Sequence, residues 1–306
     1  MSGAGARGAE SGADRLKAEI AAEFGTPALV VDIDVVERNV ACVQALCDAA
    51  GLANRPHVKT HKSPRLARLQ LAAGARGIAV QKLGEAEIMS DAMAEAGGGQ
   101  DILICYNLLG AHKLRQLAAL MRRARLTVAA DNAVAVDGLA AAAAEADAPL
   151  DVAVECDTGR IRAGVETAAE AVELARRIAA RPGLRFAGLM FYPVEGDWAA
   201  ARAFLAATLP ALRAEGLSPR MISTGGTPNL AHLGELSGAT EHRAGTSIFN
   251  DRATVARGAA RLEDCALTVY ATVVSRAGAG RGILGRRLQD PDLRHRRRAR
   301  RLRPDP

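Results

Sequence analysis

The chain has 306 residues, of which 49% are hydrophobic and only 3% aromatic, so a sizeable core would be built from Ala, Leu, Val and Ile. No apolar run reaches the length of a membrane span, and residues 1–14, rich in Gly, Ala and Ser, lack the apolar stretch of a signal peptide. The formal charge of +6 comes entirely from residues 285–306, which hold nine arginines and three aspartates, so the neutral remainder gives no reason to expect a nucleic-acid partner.

Residues 1–14 read as a loose tail, within an N-terminal tail and lead-in over 1–25. From Thr26 to Gly226, apolar runs of strand length alternate with runs rich in Ala, Leu, Arg and Glu. The predicted strands are Ala28–Ile33, Pro56–Lys59, Gly77–Gln81, Asp101–Tyr106, Leu126–Ala130, Asp151–Cys156, Phe186–Phe191 and Met221–Thr224. Helices are predicted to start near Val35, Ser63, Leu83, Ala111, Asn132, Thr167, Asp197 and Thr227. In the first of these, Val36, Val40, Val43, Leu46 and Cys47 recur at helical spacing. Short apolar strands alternating with helices predict parallel βα units, and eight of them predict an α/β fold, a (β/α)8 TIM-type barrel over residues 26–250. A doubly wound sheet is the alternative, but no Gly-x-Gly-x-x-Gly follows any predicted strand.

Ala266–Ser275, rich in β-branched residues and without a helix partner, reads as the opening strand of a truncated β domain over 251–284. Residues 285–306 lack apolar periodicity and are predicted to be a disordered basic tail. A nucleic-acid or targeting arm is the competing account of that tail, but nothing in the body would use it. The five cysteines are odd in number, scattered in apolar stretches and not spaced for metal, which suits reduced core cysteines in a cytoplasmic protein.

Barrel chemistry gathers at the C-terminal ends of the strands. Read in order, those ends give Asp32/Asp34, Lys59, Gln81/Lys82, Tyr106/Asn107, Asp131, Glu155/Asp157, Tyr192 and Thr224-Gly225-Gly226-Thr227. The octet Arg55-Pro56-His57-Val58-Lys59-Thr60-His61-Lys62 places one lysine of this ring among other basic groups, where an amine loses basicity and can attack a carbonyl. On spacing alone a solvated basic loop is the commoner case. Ser223–Asn229 puts glycines and hydroxyls at a strand end, after the predicted eighth strand, where backbone N–H groups can cradle phosphate. A tight turn with a capping Thr and a first-turn Pro accounts for it equally well. The Glu155–Val165 run carries Arg160 and Arg162 between glycines, either to reach a ligand oxygen or to pair with Asp157 or Glu155. A reactive lysine and a phosphate cradle in one barrel mouth point to pyridoxal 5'-phosphate, which needs both.

With those residues in place, the chain resembles the D-threonine aldolase and D-serine dehydratase-like family, whose barrel is that of alanine racemases. The resemblance runs from about Thr26 to Ser275, through Thr26–Asp32, Arg55–Lys62, Lys82–Glu87, Asp157–Val165, Ser223–Pro228 and Glu241–Thr246. The Pro-His-x-Lys-Thr-His-Lys string is its most specific part. The resemblance implies that Lys59 carries the cofactor as a Schiff base, that Arg162 contacts its phenolic oxygen, that Tyr192 lines it, and that Thr224, Gly225, Gly226 and Thr227 hold its phosphate. It assigns no role to His61 or Lys62. The implied activity is retro-aldol cleavage of a D-3-hydroxy amino acid to glycine and an aldehyde. Dehydratase-type elimination, a non-catalytic pyridoxal-phosphate-binding barrel and, more remotely, an alanine-racemase-like activity are the alternatives. The implied partners are a small D-amino acid and, for the family, a second subunit whose interface the unfinished β domain puts in doubt; no membrane is implied.

Two departures stand out. The family holds a divalent metal through a His-x-Cys or His-x-Asp pair near the C-terminus, whereas the only histidine here beyond His242 is His295, with no Cys or Asp at the needed offset. Ser247 also stands where the family carries Tyr. One permitted coding of residues 285–296, read one base further on, yields Asp-Ala-Gly-Ser-Lys-Thr-Leu-Thr-Ser-Asp-Thr, which looks like the family's own continuation. The expectation is therefore a frameshift near Leu284, an Arg-rich out-of-frame tail and impaired activity of the chain as written.

Overall fold

Twelve strands form among the residues that the computed structural model describes, which are 12–95, 101–278 and 280–285. They are β1 (Ala28–Val31), β2 (Ala53–Asn54), β3 (Ile78–Val80), β4 (Asp101–Ile104), β5 (Arg125–Ala130), β6 (Leu150–Cys156), β7 (Leu184–Phe191), β8 (Met221–Gly225), β9 (Glu241–Arg243), β10 (Leu267–Tyr270), β11 (Val273–Ser275) and β12 (Ile283–Leu284). The expectations for residues 1–11 and for the Arg-rich segment 286–306 lie outside the described residues.

The described residues divide into two compact units, one within Ile33–Ala266 and one made of the described parts of Met1–Asp32 and Leu267–Pro306. In the larger unit, β2 to β9 form one parallel sheet in the order β2-β9-β8-β7-β6-β5-β4-β3. Its two edges meet just past β2, where His57 bridges Ala79 and the Ala79 amide donates to the Pro56 carbonyl at 2.9 Å. The sheet thus closes into a (β/α)8 barrel. The predicted helices form as Ile33–Ala49, Pro64–Ala72, Leu83–Glu95, Ala111–Met121, Ala133–Ala146, Ala168–Ala180 and Ala199–Ala214, with a 3-10 segment Thr227–Glu235 in the last position. Their starts are chemically marked. Ser63 and Asn132 accept from the amides of Leu66 and Ala135, and Thr167 with Glu170 makes a reciprocal capping box.

Two strand assignments from the sequence need correction. Ala28–Val31 is a strand but not a barrel strand: it pairs antiparallel with β10 in the smaller unit. The missing barrel strand is β9, whose Glu-His-Arg sequence has no apolar signature. Ser223–Gly225 therefore ends the seventh barrel strand and Gly226 and Thr227 follow it, and Asp32 and Asp34 do not follow a barrel strand. The predicted strand Pro56–Lys59 is instead a bridge at His57 followed by a 3-10 turn, Val58–Thr60. In the smaller unit, Leu267–Tyr270 forms a two-stranded antiparallel sheet. It is bonded to β1, while β11 pairs with β12.

Period-two alternation sorts the barrel interior into layers. A middle layer of Ala79, Leu103, Ala129, Ala153, Met190 and Met221 is apolar and buried. At the N-terminal end, Arg55, 3% exposed, donates from Nε to both oxygens of the fully buried Glu241 at 2.9 Å. Its other two nitrogens donate to Asp101 at 2.9 and 3.1 Å. One guanidinium thus ties the chain after β2 to both β9 and β4. Replacing it with a neutral side chain would leave Glu241 buried and uncompensated. Arg55→Met is expected to lower unfolding free energy by about 3–5 kcal/mol in denaturant titration; a loss below ~1 kcal/mol would show that the network does not hold the barrel closed.

Candidate active site

The C-terminal mouth of the barrel is a cavity lined by residues at the ends of seven of its strands. Lys59 enters from the 3-10 turn after β2, His57 and Thr60 beside it. Gln81 follows β3, Cys105 follows β4, Glu155 comes from β6, and Met190 and Tyr192 come from the end of β7. Gly225, Gly226, Thr227 and Pro228 form the turn after β8, while Arg243, Gly245 and Thr246 come from β9 and its exit.

Of the seven residues singled out in the sequence, Lys59, Arg162, Tyr192, Gly225, Gly226 and Thr227 line this cavity. Thr224 does not. It is 1% exposed, and its hydroxyl has no hydrogen-bond partner. Strand alternation explains this: the preceding Ser223 faces Glu241 and Arg243 inside the barrel, so its neighbour faces the other way. Lys62 is 59% exposed and pairs with Glu85 at 3.8 Å. His61 is structural: its Nδ1 accepts the Ser63 amide at 3.0 Å, Nε2 lies 3.2 Å from Gln70 Oε1, and the ring meets Phe249 edge-on. Asn107 and Asp131 also serve the framework, Asn107 accepting the Asp131 amide and Asp131 that of Gly164.

Lys59 Nζ lies 3.5 Å from Gln81 Oε1. Its side chain opens onto the cavity yet has protein on several sides. That burial, with Arg162 and Arg243 nearby, holds its ammonium below the ordinary lysine range. His57, 8% exposed, is pushed down to about 2 by burial and by the neighbouring cations, so its imidazole is neutral. Glu155 and Cys105 are both shifted up by burial, which keeps negative charge scarce on the cavity floor.

The two arginines of the Asp157–Val165 loop have different jobs. Asp157 accepts the amides of Arg160 and Arg162 on its two oxygens, at 2.7 and 2.5 Å. Ile161 between them is held at φ 54° and is 93% exposed. Arg160 donates to the carbonyls of Tyr192 and Pro193 and lies 3.9 Å from the centroid of the Tyr192 ring. Arg162 is left facing the cavity. The sequence did not single out Arg243. It is buried, donates to Ser223 Oγ and to the Phe191 carbonyl, and has no carboxylate in ion-pair range among the described residues. Its only prior signal was its place in the Glu241–Thr246 segment.

The turn after β8 is shaped for close approach. Gly226 has φ 106°, and a Cβ there would lie 2.7 Å from Tyr192 Cε2. Thr227 Oγ1 accepts the amides of Gly245 and Ser247, at 3.3 and 3.1 Å, so its own proton is available to an acceptor in the cavity. Among the described residues no group of three or more His, Cys, Asp or Glu side chains could hold a metal ion, and no helix is long and apolar enough to cross a membrane.

Comparison with known proteins gives a consistent picture. The family described as alanine racemase, N-terminal domain, matches residues 31–253. D-threonine aldolase from an Arthrobacter species is 37% identical over 279 residues, covering 86% of this chain and 72% of that protein. D-threo-3-hydroxyaspartate dehydratase from Delftia sp. strain HT23 is 37% identical over 262 residues, covering 81% and 67%. The crystal structure of D-threonine aldolase from Filomicrobium marinum superposes with a TM-score of 0.77 at 35% identity, covering 85% and 72%.

The amine chemistry can be checked directly. Competitive acylation followed by peptide mapping at pH 8 is expected to modify Lys59 faster than the exposed Lys62 and Lys82. Removing a cation raises the basicity of a neighbouring amine, so Arg162→Gln should leave less neutral Lys59 and slow its labelling about threefold or more. Unchanged labelling would mean that Arg162 does not act on this lysine.

Proposed function

The chain belongs to the alanine racemase N-terminal domain family, and from that premise we propose that it is a pyridoxal-phosphate-dependent lyase acting on D-3-hydroxy amino acids. The observation that carries this reading is the placement of Lys59, with its weakened basicity, in one cavity with Arg162, Tyr192 and the Gly225–Thr227 turn. The residues fit the cofactor. Gly226 leaves space that a Cβ would fill, Thr227 keeps a proton to donate, and His57 Nε2 is a buried donor without an acceptor.

In this reading Lys59 Nζ is the attachment point, Arg162 serves the phenolic oxygen, Tyr192 flanks the ring, and Gly225, Gly226 and Thr227 receive the phosphate. When bound, the cofactor supplies an aldehyde for the lysine and a ring that withdraws electrons from the substrate's α carbon. The chain's own contribution is electrostatic and positional. Arg162 and Arg243 keep the cavity positive toward an anionic ligand, and Arg160 clamps Tyr192. The described residues do not provide a metal-binding set, and no step is derived through one. Five free cysteines accompany the proposed cytoplasmic, reduced setting.

Purified protein with added pyridoxal phosphate is expected to develop an absorbance band near 420 nm that Lys59→Ala lacks. Retro-aldol cleavage of D-threonine would yield glycine and acetaldehyde; elimination from D-threo-3-hydroxyaspartate would yield ammonia and a 2-oxo acid. Each assay is run with and without a divalent metal. A band without either product would leave a cofactor-binding barrel rather than a lyase, and no band would contradict the reading.

A further inference from the structure

Behind the attachment lysine sits a donor with nothing to bond. His57 is buried, and its Nδ1 accepts the Lys59 amide at 3.5 Å as the cap of the 3-10 turn. In a neutral imidazole that places the proton on Nε2. Nε2 is shielded from solvent and has no hydrogen-bond partner. The group facing it is the Gln81 side chain, close enough to favour a charged imidazole yet outside hydrogen-bond geometry. The orientation of that amide is set by its other end, since Gln81 Nε2 donates to the Cys105 carbonyl at 3.0 Å. Its Oε1 is therefore turned toward the lysine, 3.5 Å from Lys59 Nζ.

We infer that His57 is a positioning residue for cofactor attachment: Gln81 Oε1 serves Lys59 in the free protein and passes to His57 Nε2–H once Lys59 is covalently attached. The inference rests on the reading of Lys59 as the attachment lysine. The atoms balance. The neutral amine of Lys59 gives up both protons as its nitrogen forms a double bond to an aldehyde carbon, and those protons leave with the aldehyde oxygen as one water. The amine's claim on Gln81 Oε1 ends with that step, and the carboxamide oxygen needs only a small shift to accept from His57. A buried donor left unsatisfied is costly, whereas a satisfied one is not. Attachment thus relieves a penalty built into the free site.

Two substitutions separate this role from the capping role. His57→Asn keeps an acceptor where Nδ1 caps the turn but has no donor where Nε2 lies. His57→Gln keeps a donor at the Nε2 position. The cofactor-free protein is titrated with pyridoxal phosphate at one pH, and the adduct is read by absorbance and by the mass of the borohydride-reduced protein. Circular dichroism checks that each variant is folded. His57→Asn is expected to weaken attachment about tenfold, and His57→Gln to stay within about threefold of the parent protein. In a Gln81→Leu background, adding His57→Asn should weaken attachment no further, because the acceptor that distinguishes the two side chains is already gone.

An Asn variant that attaches as tightly as the parent overturns the inference while leaving the lysine assignment intact. So does a Gln variant weakened as much as or more than the Asn variant, which would mark His57 as a packing or capping residue only. No adduct in any of the proteins overturns both the inference and the reading beneath it.

Discussion

Closure of the barrel depends on one buried guanidinium. Arg55 stands just past the first barrel strand, beside the seam where the sheet's two edges meet, and its two acceptors sit on β9 and β4. The pair with Glu241 is wholly withdrawn from water, so each partner is tolerable only in the presence of the other. The chain leaves this anchor through Pro56 and His57, which bond to Ala79 and Ala244 on either side, and reaches Lys59 four residues later. The position of Lys59 is thus fixed by the contact that seals the barrel.

The same network reaches the cavity. Glu241 accepts from Ser223 Oγ, which in turn accepts from Arg243, whose guanidinium also holds the Phe191 carbonyl. Neutral oxygens bind Arg243 directly, so its charge stays uncompensated by any adjacent carboxylate among the described residues and acts on whatever occupies the mouth. Burial raises Glu155 and lowers Lys59 and His57, so all three are pushed toward their uncharged forms while the arginines stay charged. A cavity with fixed cations and a weakly basic amine suits an anionic aldehyde, and this is the physical basis for the functional reading.

Much of this was legible in the residue order, and the failures have physical causes. Eight βα units were visible because the middle layer and the outer faces of most strands are apolar. The count survived while its ends slipped. Ala28–Val31 has strand chemistry but pairs in another sheet, and Glu241–Arg243 has three polar residues that are buried only because each finds a partner. Hydrophobic patterning cannot see a strand stabilised by ion pairs and hydrogen bonds. Lys59 was legible from its basic neighbours, yet His57 and Arg243, two of the groups nearest to it electrostatically, had no signal beyond lying in short motif-like strings. Thr224 was drawn in by adjacency to Gly225, and strand alternation turned it away. Likewise spacing alone did not separate Arg160 from Arg162, and only the resemblance favoured Arg162; the fold makes one a clamp on Tyr192 and leaves the other to face the cavity.

The central claim is that one lysine, placed by the barrel seam, carries an aldehyde cofactor. The most direct measurement is peptide mapping by mass spectrometry after the protein, loaded with pyridoxal phosphate, is reduced with borohydride. The account predicts a single modified peptide with the added mass on Lys59. Modification of Lys62, Lys82 or Lys113 in its place, or none at all, would contradict it.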